Sequence, residues 1–265
     1  MNGKRNGKNL GERHGLAARV IAKLGRPIIR RISELARESL NEPGSWRCLE
    51  MIYRNQPAKL LDRVFLSSRS ARGARSRLNV LEDEICRAIE RRATLRNPVK
   101  LISFGSGPGH EVLDCVDHLR TKVVVQGTCV DKERDPLEYG RKLAIQMGLD
   151  DCVTYRQGNV LRTDWAIDRY DIGVMSGLID YFDFETAVSV LDKVRQTLFP
   201  AGVVFIANMR RHSLASVMSV LGKWTLVYRE PDEVEELLAA SGYEQPKVWL
   251  EPEGVFCIGM GTKSP

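Results

Sequence analysis

A glycine-rich turn between a strand and a helix is the feature that most constrains the fold. Residues 101–109 read Leu-Ile-Ser-Phe-Gly-Ser-Gly-Pro-Gly, which predicts a buried strand followed by glycines at alternate positions. A helix is predicted from His110 to about Leu119, and its N-terminal N–H groups favour a carboxylate or phosphate. Glycine lets such backbone groups approach a ligand closely. The segment therefore predicts an α/β fold with a ligand-binding turn.

The spacing of the glycines selects the ligand. The dinucleotide fingerprint needs glycine at position 110, where this chain has His110, so NAD is disfavoured. Asp131 lies 22 residues after Gly109 at the end of a predicted strand, and a carboxylate there can accept both ribose hydroxyl protons in charge-assisted bonds. Capping of the next helix is assigned instead to Asp135, followed by Pro136. S-adenosylmethionine (SAM), a nucleoside with free ribose hydroxyls and a short charged tail, fits this pattern.

Apolar strands alternate with helices after Pro98, which predicts a doubly wound, Rossmann-like α/β sheet of seven strands. The predicted strands are 99–104, 123–130, 152–156, 170–175, 202–208, 245–250 and 255–261. The predicted helices are 110–119, 135–147, 184–198 and 232–241. Only a four-residue turn, Glu251–Gly254, separates the last two strands, so the last strand is predicted to be antiparallel.

The segment before the sheet is predicted to be a helical cap. Residues 1–14 form a polar, basic tail that is predicted to be disordered, residues 15–97 form the cap on the substrate side, and residues 98–265 form the SAM-binding domain. Apolar spacing predicts helices in the cap at 46–65 and 70–93, and an amphipathic helix or a kinked pair of helices at 16–40, where Gly25 and Pro27 interrupt the pattern. A lid is predicted at about 210–229, with a helix at 214–221.

Hydropathy and cysteine usage predict a cytoplasmic protein. The best apolar window, Thr197–Met209, is shorter than the roughly 18 residues of a membrane span, and no secretion signal is recognisable. The six cysteines include no C-x-x-C pair, so neither a zinc site nor a disulfide framework is predicted. No metal is expected.

Charge divides the chain into a basic and an acidic half. Residues 1–100 hold 23 Lys and Arg against 10 Asp and Glu, whereas residues 101–265 hold 17 against 24. A basic appendage can bind an acyl carrier protein, an anionic membrane or a nucleic acid. The same charge distribution would result if the basic segment docked on its own acidic domain or were a solvated tail. These structural explanations are favoured over binding of an acidic partner.

The predicted cofactor site collects residues from four strand ends. The glycines carry the backbone past the methionine moiety, Glu111 reaches the same pocket, and Asp131 binds the ribose. Lys132 flanks the adenine, while Asn159 and Val160 offer it an amide and an apolar contact. The sulfonium and the acceptor are expected to meet at the end of the fourth strand. The cofactor-binding residues are predicted to be Gly105, Ser106, Gly107, Gly109, Glu111, Asp131, Lys132, Asn159, Val160, Ser176 and Gly177.

One segment resembles a known group of enzymes. Residues 170–182, Tyr-Asp-Ile-Gly-Val-Met-Ser-Gly-Leu-Ile-Asp-Tyr-Phe, are similar to a segment of class I methyltransferases of the bacterial 3-hydroxypalmitic acid methyl ester synthase type, which make a quorum signal. Other segments that agree in order are Met51–Tyr53, Ser70–Arg77, Gly107–Glu111, Ile206–Met209 and Trp224–Arg229. The resemblance covers roughly residues 46–260 and implies SAM-dependent methyl transfer.

Catalysis by such a protein rests mainly on aligning the acceptor with the methyl donor and excluding water. A carboxylate acceptor is already anionic and needs only a cation such as Arg210 or Arg211. A hydroxyl acceptor needs a base, for which Asp180 and His212 are the candidates. Aromatic side chains that could wall the acceptor pocket are Tyr53, Tyr181 and Tyr228. Each of these residues could instead be structural.

Three functions remain open at this stage. The leading hypothesis is O-methylation of a small-molecule carboxylate or hydroxyl, such as an acyl chain or a natural-product acid, by an enzyme that does not bind nucleic acid. The second is an RNA methyltransferase that uses the basic N-terminal region. The chain lacks an Asn/Asp-Pro-Pro-aromatic motif after the fourth strand, which argues against amino methylation. The third is a non-catalytic SAM-binding scaffold.

Overall fold

A computed structural model describes residues 25, 27–28, 31–42, 44–162, 168–211 and 226–265. The described chain divides into two compact units: the first comprises the described residues up to Arg72, and the second comprises the described residues of Gly73–Arg211 and Leu226–Pro265. The predicted tail at 1–14, most of the predicted helix before residue 31, His212 and the predicted lid helix at 214–221 lie outside the described residues.

The described part of the first unit includes the helices α1 (Glu34–Asn41), α2 (Trp46–Arg54) and α3 (Leu60–Leu66). Ser33 and Ser45 cap α1 and α2 through side-chain oxygens that accept backbone N–H groups. The prediction of a single helix over 46–65 is wrong. Asn55 ends α2 in the left-handed conformation, with a φ of 51°, and Pro57 disfavours helical geometry at the residue before it.

The second unit begins within helix α4 (Arg69–Ala93), from Gly73 onward. Its remaining elements follow in the order β1 (Val99–Phe104), α5 (His110–Leu119), β2 (Val125–Asp131), α6 (Arg134–Met147), β3 (Val153–Gln157), β4 (Tyr170–Met175), a 3₁₀ turn (Ile179–Tyr181), α7 (Phe184–Thr197), β5 (Leu198–Met209), α8 (Pro231–Ala240), β6 (Glu244–Leu250) and β7 (Phe256–Thr262). The alternation of strands and helices predicted from the sequence is confirmed.

The strands form one seven-stranded sheet in the order β3-β2-β1-β4-β5-β7-β6. Strands β1 to β5 pair in parallel, and β7 pairs antiparallel with both β5 and β6. The direction of winding reverses between β1 and β4, and ligands of such sheets bind outside the carboxyl ends of the strands at this switch point. The predicted Rossmann-like fold class, with its antiparallel last strand and its N-terminal helices, is confirmed.

Helix α4 packs against the core of the second unit. Leu81, Ile85 and Ile89 are completely buried on one helix face, as the apolar spacing predicted, and each such burial contributes roughly 1.5–3 kcal/mol. Residues 73–97, which the sequence analysis grouped with the cap, are thus part of the compact unit that contains the sheet. The functional boundary at residue 98 stays a prediction.

A buried ion cluster fixes the amino end of β4. Asp171 is completely buried, and its carboxylate accepts from Arg92 Nη2 at 3.0 Å and from the backbone N–H of Lys100 at 2.9 Å. Arg96 Nε lies 3.2 Å from the same carboxylate. Losing one partner of such a cluster would leave a buried charge uncompensated. The cluster therefore holds α4 and β1 to β4 at the edge of the sheet remote from the strand ends that form the candidate site.

Candidate functional site

The turn after β1 needs glycine at each of its three glycine positions. Gly105, Gly107 and Gly109 have φ values of 63°, 55° and 82°, a region that L-residues with side chains rarely occupy. A methyl group on Gly109 would lie 2.4 Å from Cys129 Sγ. Tyr155 Oη donates to the Pro108 carbonyl at 3.3 Å and holds the turn from β3. The turn is therefore a rigid backbone cradle at the start of α5.

Asp131, the last residue of β2, joins this turn to the next helix. Its Oδ2 accepts the Gly107 N–H at 2.9 Å, and its Oδ1 accepts the Glu133 N–H at 3.0 Å. Each carboxylate oxygen has a further lone pair, so both can still accept a ribose hydroxyl. The prediction that Asp135 caps α6 is wrong, because the N-cap is Glu133, and the N–H of Glu133 donates to Asp131 Oδ1.

Glu111 lies in the first turn of α5, beneath the glycine turn. Its side chain is buried, and Ser103 Oγ donates to its Oε1 at 2.7 Å. A negative charge at this helix end is stabilised by the helix dipole. Burial, together with the Glu111 charge, raises the pKa of the Cys129 thiol well above its ordinary value. Cys129 is therefore a packing residue here.

The residues predicted for the adenine side lie at the ends of β2 and β3. Lys132 is exposed, and its carbonyl accepts from Gln157 Nε2 at 3.0 Å. Asn159 Oδ1 accepts the Leu161 N–H at 2.9 Å, so this side-chain oxygen shapes its own turn. Val160 is buried in an apolar cluster that includes Val130. The structure thus brings the predicted ribose and adenine residues to one edge of the sheet.

Ser176 and Gly177 follow β4 at the same edge and are partly exposed. A methyl group on Gly177 would lie 3.4 Å from Arg77 Nη1. The Arg77 guanidinium lies 4.7 Å from the centroid of the Phe256 ring, within cation–π distance. Arg77 ends one of the segments that carry the family resemblance, Ser70–Arg77, and had no predicted role.

Asp180 is a buried anchor of the loop after β4. Its side chain is 4% exposed, its Oδ1 accepts the Met209 N–H at 2.6 Å, and its carbonyl accepts the Val227 N–H at 2.8 Å. Burial raises the pKa of Asp180 to about 6, although the Met209 N–H and the charges of Arg77 and Arg229 act in the opposite direction. The carboxylate is therefore mostly ionised at neutral pH.

Arg229 and Asn208 complete this network, and sequence reasoning gave neither a role. Arg229 Nη1 donates to Asn208 Oδ1 at 2.8 Å and to the Ile179 carbonyl at 3.2 Å, and its Nη2 donates to the Phe182 carbonyl at 2.7 Å. Asn208 Nδ2 donates to the Val227 carbonyl at 3.0 Å. Both residues lie in sequence segments that resemble the methyltransferase group named above, and no other feature of the sequence pointed to a role for them. Together they fix the 3₁₀ turn that carries Tyr181.

The remaining predicted catalytic residues have different surroundings. Arg210 Nε donates to Glu230 Oε2 at 2.7 Å, so its charge is paired. Tyr181 is 46% exposed beside Asp180, and Tyr228 is partly buried next to Arg229. Tyr53 lies in the first unit, on α2. Asp180 and Tyr181, which are adjacent in the sequence, both lie in the 3₁₀ turn that follows β4.

The raised pKa of Asp180 predicts a specific pH dependence of stability. Between about pH 4 and pH 6 the folded protein keeps a proton that the unfolded chain, with the ordinary pKa of 3.8, has lost, so stability falls as pH rises. The Asp180 contribution is about 3 kcal/mol across this range. In Asp180→Asn, which keeps an oxygen for the Met209 N–H, this fall is expected to disappear. Urea unfolding of both proteins from pH 4 to pH 7 measures it, and parallel curves would contradict the expectation.

The described residues contain neither a membrane-spanning helix nor a cluster of metal ligands. None of the described helices is long and apolar enough to cross a bilayer. Within the same residues, no group of three or more His, Cys, Asp or Glu side chains is arranged to hold a metal ion.

Comparison with known proteins identifies the family. The sequence matches the family described as "Putative methyltransferase" over residues 41–263, which is most of the chain. The chain belongs to this methyltransferase family. No match is found among curated proteins.

Solved structures share the fold of this methyltransferase at low sequence identity. A possible exported protein from Bordetella parapertussis is 18% identical with a TM-score of 0.69, and the match covers 95% of this chain and 97% of the other. Magnesium protoporphyrin IX methyltransferase from Synechocystis PCC 6803, solved with bound SAH, is 10% identical with a TM-score of 0.61, covering 87% and 99%. Human N-acetylserotonin methyltransferase, in complex with SAM, is 12% identical with a TM-score of 0.56, covering 87% and 70%.

The residues at the switch point of this methyltransferase fit SAM. The cradle at Gly109 leaves no room for a side chain because Cys129 packs against it, and the backbone can therefore approach a ligand closely. Asp131 supplies a carboxylate at the end of the neighbouring strand, where ribose hydroxyls need an acceptor. His110, in place of the third dinucleotide glycine, fits the same conclusion.

Proposed function

We propose that this chain is a SAM-dependent O-methyltransferase that acts on a small-molecule acid, with Asp131, the glycine turn and the other predicted cofactor residues as the SAM site. The observation that carries the proposal is the Asp131 carboxylate, which links Gly107 to Glu133 at the switch point and still has lone pairs for two hydroxyls. SAM supplies an already activated methyl group. The work left to the protein is to orient an acceptor and exclude water.

The surroundings of Asp180 favour a carboxylate acceptor over a hydroxyl. A general base must be within hydrogen-bond reach of the proton that it removes. Asp180 is ionised at neutral pH but almost completely buried, and its Oδ1 is engaged by the Met209 N–H. These contacts suit a residue that positions the loop carrying Tyr181. A carboxylate is already anionic and requires no base.

Apolar side chains beside the 3₁₀ turn support an acceptor with a hydrocarbon part. Tyr181, Phe184 and Val227 are 46%, 42% and 37% exposed, and the Val227 N–H is bonded to the Asp180 carbonyl in the same loop. Arg210 is one of the cations predicted from the sequence to bind an acceptor carboxylate. It directly follows β5, where it forms an ion pair with Glu230. A fatty or natural-product acid has both the charge and the apolar surface for such a site, and 3-hydroxypalmitate is the first acceptor to test. The six free thiols are compatible with a reducing compartment, so the cytoplasm remains part of the proposal.

Methyl transfer can be tested with SAM that carries a labelled methyl group. We expect label to enter an organic-extractable, alkali-labile ester when the protein is given long-chain 3-hydroxy acids or aromatic acids, and to fall to background in Asp131→Ala. Label in bulk RNA would instead support an RNA methyltransferase. SAM binding without transfer to any acid would support the scaffold hypothesis, and either result would contradict the proposal.

A further inference from the structure

The first unit exposes aliphatic side chains on helix α3. Leu60 and Val64, four residues apart, are 80% and 64% exposed, so they share one helix face. The opposite face holds Asp62 and Leu66, which are buried. Large aliphatic side chains that are this exposed in a row on one face mark an interaction surface more often than isolated ones do.

A second exposed aliphatic pair lies on the neighbouring segment. Ile28 and Ile32, also four residues apart and in helical conformation, are 63% and 47% exposed. Two contacts join their segment to the start of α3: Lys59 Nζ donates to the Arg31 carbonyl at 3.1 Å, and Ser33 Oγ donates to Asp62 Oδ1 at 2.6 Å. The two exposed aliphatic pairs therefore lie on neighbouring segments of the same unit.

Cations accompany these aliphatic side chains. Arg31, Lys59 and Arg63 flank them in the sequence, whereas Asp62, the acidic residue between Lys59 and Val64, is buried. Glu34 is a partly exposed acid on α1, and its Oε1 lies 3.9 Å from Lys59 Nζ. Residues 31–42 and 44–72 hold eight Lys and Arg against five Asp and Glu. The surface thus combines exposed hydrocarbon with a modest excess of positive charge.

We propose that this aliphatic and basic surface, formed by Ile28, Ile32, Leu60 and Val64 with Arg31, Lys59 and Arg63, binds the headgroup region of an anionic lipid bilayer. Aliphatic side chains enter the boundary between headgroups and acyl chains while neighbouring cations bind the anionic headgroups. A surface for single-stranded nucleic acid would present aromatic side chains on which bases stack, and the exposed apolar members here are all aliphatic. The charge complementarity favours the bilayer, and the proposal does not depend on methyl transfer.

Vesicle co-sedimentation of the full chain tests the proposal. We expect retention on vesicles of phosphatidylcholine with 30% phosphatidylglycerol, weak retention on phosphatidylcholine alone, and at least a tenfold loss of affinity in the double variant Leu60→Ser, Val64→Ser. The matched control is Val124→Ser, Ile145→Ser, which removes two aliphatic side chains of 57% and 62% exposure from the second unit. This control is expected to bind as the original chain does.

The outcomes separate the bilayer from other anionic partners. Unchanged SAM binding and melting temperature in both double variants establish that they are folded. Absence of retention on anionic vesicles, or equal loss of retention in both double variants, overturns the proposal. Retention that the Leu60, Val64 variant keeps in full also overturns it, because charge alone would then explain binding. Binding to transfer RNA or to an acidic carrier protein, without vesicle binding, assigns the surface to that partner instead.

Discussion

Asp131→Ala is expected to weaken SAM binding at least about 100-fold. Two ribose hydroxyls lose charge-assisted hydrogen bonds, each contributing roughly 1.5–3 kcal/mol, and the Gly107 N–H loses its acceptor. Every 1.4 kcal/mol is about a tenfold change in affinity. Titration calorimetry with SAM and with S-adenosylhomocysteine measures the effect.

A matched aspartate distinguishes loss of this site from a general change of charge. Asp117 lies on α5 with its side chain 43% exposed and paired with Arg120 at 3.3 Å. Asp117→Ala is expected to bind SAM within about threefold of the original chain, because exposed ion pairs contribute little. If Asp131→Ala also stayed within threefold while remaining folded, Asp131 would not be the ribose ligand.

Gly109→Ala is expected to destabilise the protein by about 2–4 kcal/mol and to abolish measurable SAM binding. The substitution combines a positive φ of 82° with a methyl group 2.4 Å from Cys129 Sγ, so it adds overpacking in a buried site to backbone strain. Cys129 cannot move away easily, because it is completely buried in the core behind the turn. Relief of the overlap would therefore shift the cradle itself.

Gly148 provides the control for backbone strain alone. It caps the end of α6 with a φ of 67°, and a methyl group there would meet no atom within 4 Å. Gly148→Ala is expected to cost about 1 kcal/mol and to leave SAM binding unchanged. Urea unfolding and calorimetry on both variants measure the difference; equal destabilisation by the two substitutions would show that the overlap with Cys129 is relieved without cost.

Local sequence patterns predicted most of the second unit. The predicted strand over 99–104 matches β1 in full, and β4 and α5 also begin and end at the predicted residues. Apolar periodicity works here because each element must bury one face against the same core. The prediction was less accurate where the backbone conformation of one residue sets the end of a helix. At Asn55, a left-handed conformation ends α2.

The candidate cofactor site was predictable for a related reason. A strand, a glycine turn and a helix are consecutive in the chain, so their ligand-binding geometry follows from local conformation. Asp131 could be predicted to lie beside the glycine turn, because parallel strands end at the same edge of a sheet. Its assignment as the ribose ligand stays a proposal, as do the other predicted site residues.

Sequence alone thus determined the alternation of elements, the methyltransferase fold class and the edge of the sheet that carries the candidate cofactor site, because these follow from periodicity and turn chemistry. Only the tertiary structure decided the surroundings of Asp180. The sequence offered it as a base, yet Arg77, Met209 and Arg229 approach it from distant parts of the chain. Burial and long-range hydrogen bonds set its pKa and its contacts, and neither leaves a trace in the residues adjacent to it in the sequence.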